Sequence, residues 1–163
     1  MIIREYVSKD KAGVITLLVH LQEHLVSVDD EKVQTLTERY RIEYLDYLLG
    51  ELRNNNGVLF VAENATTLVG LVAGIIEPKD KEDELTNRCP IRGKVLELIV
   101  TKDYRAGGAG TALLQAMEDY FKKHECEYIC VDVFAPNARA YAFYQNNDYS
   151  PRNIELYKRL GVD

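Results

Sequence analysis

The apolar positions along the chain change their period several times, and each change predicts an element. Met1 to Val7 is a short apolar-rich run interrupted by Arg4 and Glu5, which suits a first strand, and Ser8 opens a different pattern. From there Val14, Leu17, Leu18, Leu21, Leu25 and Val28 recur at i, i+3, i+4 and i+7, the period of a helix buried on one side. Asp29-Asp30-Glu31 is placed to cap and charge-match the start of a second helix, which carries Leu36, Tyr40, Tyr44, Tyr47 and Leu48 and ends near Asn54-Asn55-Asn56-Gly57. Two β-rich runs follow, Val58 to Ala62 and Leu68 to Ile76, joined through Glu63 to Thr67 as a hairpin. The stretch 79–84 mixes charges without a hydrophobic period and reads as a solvated loop.

In the second half, Lys94 to Val100 forms a fourth strand, a glycine-rich turn runs to Gly110, and Leu113, Leu114, Met117, Tyr120 and Phe121 fall in helical register. Glu127 to Phe134 makes a fifth strand. Pro136-Asn137 starts a helix through Ala140, Phe143 and Tyr144, and Ile154 to Tyr157 makes a last strand. There are no repeats and no linker-like segments, so residues 1–163 read as one mixed α/β domain. Composition agrees: 163 residues, 47% hydrophobic and 28% charged, suit one domain with a real core.

Charge and cysteines narrow the classes. With 20 Lys+Arg against 26 Asp+Glu the net charge is −6, which argues against a nucleic-acid partner. No apolar run approaches the ~20 residues of a membrane span, and Met1 to Glu5 lacks the features of a signal peptide, so a cytoplasmic protein without a membrane partner is the expectation. Cys89, Cys126 and Cys130 leave an odd count without zinc spacing and read as reduced thiols. On a strand, Cys126, Tyr128 and Cys130 share a face, so burial as small hydrophobes outweighs a catalytic role. His20 and His24 are four apart, but with no third ligand evident they read as a polar helix face, and no metal is expected.

The chemistry concentrates in Arg105-Ala106-Gly107-Gly108-Ala109-Gly110-Thr111, between a strand and an amphipathic helix. A helix start carries unsatisfied N–H donors and the positive end of the dipole. Glycines remove the Cβ atoms that would keep a diphosphate away, and Arg105 adds charge. A tight turn without ligand is the alternative, although three glycines in four positions weaken a purely structural helix start. The run lacks the Lys-Ser/Thr ending of a P-loop and the G-x-G-x-x-G spacing of a dinucleotide fold.

The pattern Arg105-x-x-Gly108-x-Gly110 after Leu98-Ile99-Val100 resembles the acetyl-CoA signature of the GNAT superfamily of N-acetyltransferases. The element order continues the resemblance through Asn137-x-x-Ala140-x-x-Phe143-Tyr144, over nearly the whole chain. It implies a mixed, mostly antiparallel sheet of six to seven strands with about four helices, splayed between strands four and five. It implies acetyl-CoA as acetyl donor, its pantetheine arm on the backbone of Leu98, Ile99 and Val100 and its diphosphate on Arg105, Ala106, Gly107, Gly108, Ala109 and Gly110 with Thr111 beside them. Asn137 serves as helix cap, as a contact to that arm, or as both. Tyr144 either fills the core or, as the resemblance implies, protonates the departing thiolate, which a phenol of pKa ~10 can do at neutral pH. The family usually has a Gly-Phe pair where Asn146-Asn147-Asp148-Tyr149 stands, and Asn and Asp tolerate the left-handed angles such a turn needs.

An alkyl amine has a pKa of ~10.4, so a base is needed, and Glu97 is the first candidate. Alternation puts Glu97 and Ile99 on the face that by resemblance looks toward the first two helices and the acceptor, although a merely solvated charge fits equally. The acids Glu23, Asp29, Asp30, Glu31, Glu38, Glu43 and Asp46 on those helices would attract a cationic amine or simply be solvated. Tyr40, Tyr44 and Tyr47 would line a pocket or pack in the core. The reading is an N-acetyltransferase acting on a primary amine of a small molecule or peptide by direct attack in a ternary complex, since no cysteine sits in a nucleophile constellation. A non-catalytic acyl-CoA-binding domain is the alternative. The family's C-terminal strands often pair two copies, so a homodimer stays open.

Overall fold

The strand-period runs pair into one sheet in the order β1-β2-β3-β4-β5 in a computed structural model that describes residues 1–78, 85 and 90–161. Its strands are β1 (Ile2–Glu5), β2 (Val58–Asn64), β3 (Thr67–Ile76), β4 (Arg92–Val100) and β5 (Tyr128–Val131). The first four pair antiparallel and β5 joins β4 in parallel. Helices α1 (Lys11–Ser27) and α2 (Glu38–Asn54) precede the hairpin; α3 (Ala109–Lys123) and α4 (Ala138–Gln145) follow β4 and β5. The solvated-loop stretch 79–84 and Cys89 lie outside the described residues. Among the described residues no helix is long and apolar enough to cross a membrane.

Each sheet face buries a helical stripe, because period-2 strands present one apolar set to each side. Val14, Leu17 and Leu18 of α1 and Leu45, Leu48 and Leu52 of α2 pack on Leu59, Val61, Leu71, Ala73, Ile75 and Ile99. On the other face Leu113, Leu114, Met117 and Phe121 of α3, with Tyr144 of α4, cover Val58, Ala62, Val69, Val72 and Val95. Gly93 and Gly74 permit that contact: a Cβ at Gly93 would stand 2.4 Å from the Phe121 ring, and one at Gly74 would stand 2.8 Å from it.

Three expectations are corrected. The sheet has five strands among the described residues, not six to seven, because the last expected strand does not form. Ile154, Leu156 and Tyr157 are 79%, 88% and 86% exposed and carry no regular structure, since alternation makes a strand only where a neighbouring edge supplies the ladder. Cys126 lies ahead of β5 rather than on it, although it and Cys130 are free thiols. The second helix starts at Glu38, capped by the Thr37 hydroxyl accepting Tyr40 N–H, and Asp29 does not start it. The Asp29 carboxylate, 8% exposed, instead accepts the N–H groups of Glu31, Val33 and Gln34 at 3.2, 2.7 and 2.6 Å and holds the loop between the helices.

Arg4 ties β1 to both neighbours. Its guanidinium donates to both Asp10 oxygens (2.7 and 2.9 Å) and to Glu63 (2.7 Å), and Asp10 also accepts Val7 N–H. The Arg4 hydrogen bonds hold the Asp10 carboxyl at about 2, below its ordinary 3.8. A depressed folded-state pKa gives stability that is present above the unfolded value and lost as pH falls from about 4 through about 2. Asp10→Asn is therefore expected to cost on the order of 2 kcal/mol at neutral pH and to flatten unfolding free energy against pH in that window. An unchanged acid midpoint in urea titrations would contradict it.

Candidate active site

β5 accompanies β4 only from Arg92 to Val95, opposite Tyr128 to Val131; beyond that the two chains separate. The separation leaves main-chain groups open. Thr101 donates N–H to Val69 O (2.9 Å) while Gly70 stands opposite Val100, which makes that a non-hydrogen-bonded antiparallel pair. Val100, and Leu98 two residues back, therefore turn their N–H and C=O away from β3 into the gap. Of the three β4 residues expected at the cofactor, Leu98 and Val100 turn their main chain to the gap. Ile99 turns its own main chain to β3 and its side chain into the α1–α2 core.

The gap runs into the loop before α3. Ala106 and Gly108 take left-handed backbone angles (φ 62° and 83°), and Gly108 is the N-cap residue of α3. A Cβ at Gly108 would find no atom within 4 Å, so the space above this bend is open. Ala112 N–H is the first to find a main-chain acceptor, Gly108 O at 2.9 Å. Among the described residues the N–H groups from Ala106 to Thr111 have none. Gly110 is small for another reason: a Cβ there would press on the Phe143 ring at 3.2 Å. Arg105 donates Nε–H to Val100 O (2.8 Å) beside the gap, and burial with the like charge of Arg139 lowers its pKa, so two cations share this end of the cleft. Orphaned donors, a cationic rim and a bend with room for a ligand fit the diphosphate of a coenzyme A thioester.

α4 supplies the far wall. Asn137 caps it, Oδ1 accepting Ala140 N–H at 3.2 Å, and the same oxygen lies 3.4 Å from His24 Nε2 at the end of α1. Because that oxygen is an acceptor, His24 Nε2 carries the hydrogen. Tyr144, about two turns further, is 8% exposed. Its hydroxyl has no hydrogen-bond partner among the described residues, and burial together with the charge of Glu97 raises its pKa, which keeps the phenol protonated. Asp148 takes φ 66°, and Asn147 and Tyr149 both return N–H to Tyr144 O, so the Asn-Asn-Asp turn closes α4.

Glu97 projects from β4 to the side opposite Leu98 and Val100, toward α2, as alternation predicts. It is largely buried, and burial raises its pKa against the opposing pull of a hydrogen bond from the Tyr44 hydroxyl. Tyr44 is thus a candidate site residue rather than core filler, although the i, i+4 tyrosine spacing was the only signal of it in the sequence. Tyr40 stacks on it (centroids 4.3 Å apart, 14° between planes), while Tyr47 is exposed. Several of the helix acids have partners within the chain: Glu43 with Arg39, Asp46 with Lys11, Glu23 with Arg41 and Asp29 with the loop backbone. A groove of about 360 Å³ lined by Ile15, Thr16, Val19, His20, Glu23 and Arg41 shares no residue with this constellation.

The comparisons with known proteins agree with this geometry. The model of the acetyltransferase (GNAT) family matches residues 25–149. The chain is 27% identical over 156 residues to N-alpha-acetyltransferase 60 of Danio rerio; the match covers 87% of this chain but only 64% of that protein. Among solved structures, a Bacillus halodurans protein determined as a mutant superposes with a TM-score of 0.85 at 21% identity, covering 98% of this chain and 99% of that one. Glucosamine-6-phosphate N-acetyltransferase of Arabidopsis thaliana superposes at 0.68 with 22% identity, covering 98% of each. At such identities the structural likenesses establish the fold alone.

Proposed function

The chain belongs to the GNAT acetyltransferase family, and on that premise we propose that it transfers the acetyl group of acetyl-CoA to a primary amine of a small molecule or peptide. One observation carries the reading: the gap beside Leu98 and Val100 runs into the loop before α3, whose N–H groups from Ala106 to Thr111 have no main-chain acceptor among the described residues.

When bound, acetyl-CoA supplies an activated thioester carbonyl and a thiol leaving group. The loop N–H groups from Ala106 to Thr111 hold its diphosphate, with Arg105 adding charge. The main chain of Leu98 and Val100, with Asn137 across the gap, orients the pantetheine arm, while Ile99 stays paired to β3. The Glu97 carboxylate takes a proton from the ammonium of the acceptor, so that a neutral nitrogen attacks directly in a ternary complex. Tyr144 holds its proton at the hydroxyl oxygen for the departing sulfur, and burial keeps it there at neutral pH. A route acylated at Cys126 or Cys130 is disfavoured by the same physics: burial pushes the Cys130 thiol up to about 11 and that of Cys126 in the same direction, so neither is a thiolate at neutral pH. Asp30, Glu31 and Glu38, which have no ion-pair partner among the described residues, support a cationic acceptor.

The test is acetyl-CoA-dependent thiol release across a panel of amines and peptide N-termini, run beside calorimetric binding of coenzyme A. Turnover with at least one amine class is expected. Tight binding without transfer to any of them would make the chain a non-catalytic acyl-CoA-binding domain, and no binding would remove the cofactor assignment altogether.

A further inference from the structure

Glu97 is unusual in its company. The side chain bonded to it among the described residues is a phenol, Tyr44 from α2, with the Tyr40 ring stacked against that of Tyr44. β3 presents Ala73 opposite it, and the Tyr40 hydroxyl is turned to α1, where it donates to the Leu18 carbonyl at 3.3 Å. Among the described residues no lysine, arginine or histidine pairs with this carboxylate. A buried carboxylate without a cation tends to take up a proton, and a protonated acid cannot act as a base.

We propose that Tyr44 is a positioning residue that keeps Glu97 ionised and aims its free oxygen at the acceptor amine. The inference rests on Glu97 being the base. The Tyr44 hydroxyl donates to Oε1, which leaves Oε2 free for the amine. The phenol is itself held: its ring lies against Tyr40, whose hydroxyl is tied to α1, so α1, α2 and β4 jointly set the direction of donation. A donor bonded to the charged form lowers a carboxyl pKa, which opposes the burial that raises it. A phenol suits the task better than an arginine would, because it favours the carboxylate without a fixed charge that would repel an incoming ammonium. The proton that Glu97 accepts from the amine nitrogen then resides on the oxygen not already engaged.

The free protein provides the test. With ¹³C-carboxyl glutamate and the Glu97 resonance assigned by its loss in Glu97→Gln, Tyr44→Phe is expected to raise the Glu97 titration midpoint by about one pH unit. The acid limb of kcat/KM should move up by the same interval, so that activity falls about tenfold on the acid side of the profile and little on the alkaline side. Replacing Tyr44 by 3-fluorotyrosine, a stronger donor with the same ring, should move the midpoint down. Opposite shifts from two folded proteins cannot come from loosened packing. Tyr40→Phe, which loses the bond to α1 but not the one to Glu97, should move it far less. A midpoint that ignores both changes at position 44, or that Tyr40→Phe shifts equally, overturns the inference while leaving Glu97 as base. If instead Glu97→Gln keeps the acid limb and the rate of the parent, the base assignment itself falls, whatever the carbon signals show.

Discussion

Gly110→Asp is expected to weaken acetyl-CoA binding by at least about 100-fold, or close to 3 kcal/mol, in calorimetric titration. Three effects act together at this position. The new side chain projects a negative charge where the loop N–H groups would meet a diphosphate, its Cβ presses on the Phe143 ring at 3.2 Å, and that pressure shifts the first turn of α3 against α4. Stability should change less than binding, because a carboxylate in a first helical turn is favourable and leaving glycine behind reduces the entropy lost on folding. Gly110→Ala separates the causes: it keeps the contact with Phe143, omits the charge, and should cost roughly tenfold or less. Affinity of the Asp variant within threefold of the parent would dissociate the loop from the diphosphate.

Tyr144→Phe should lower kcat by about 100-fold with the KM values for acetyl-CoA and amine nearly unchanged. The hydroxyl is the part at stake, since the ring fills the α3-side core against Phe143 and Tyr149 and would be retained. As no protein group among the described residues accepts that hydroxyl, its removal orphans nothing, and the melting temperature should stay within a few degrees of the parent. Stopped-flow measurement of thiol release in a single turnover reads the chemical step directly. Full-speed release would return Tyr144 to a packing role.

The helices and the hairpin were legible because their signals are local. Val14, Leu17, Leu18 and Leu21 repeat at helical period, and Val58 to Ile76 holds two β-rich apolar runs across a two-residue turn. The bend ahead of α3 was legible for a similar reason, since orphan N–H donors follow from the order strand, glycines, helix, whereas the left-handed angle at Ala106 had no signal in its residue type. Asn137 was readable as a cap from Pro136 before it and the alanines after it. Other features depended on partners distant in sequence. Asp29 has the residue type of a helix cap, yet its carboxylate serves the loop backbone of Glu31, Val33 and Gln34, and the Thr37 hydroxyl caps α2. Ile154 to Tyr157 has strand alternation and no strand, because pairing is a property of two segments.

What the chain determined by itself is the sequence of elements, the two apolar faces of the sheet and the donor-rich bend ahead of α3, since each arises from residues within a few positions of one another. What only the tertiary structure decided is where charge and proton meet. Tyr44 and Glu97 are separated by 53 positions, and the gap beside Leu98 and Val100 opens because β5 accompanies β4 only as far as Val95. A hydrogen bond or a burial penalty falls off within a few ångströms of space regardless of distance along the chain, so the ionisation of these groups is written in the packing of α2, β4 and α4 rather than in any local run of residues.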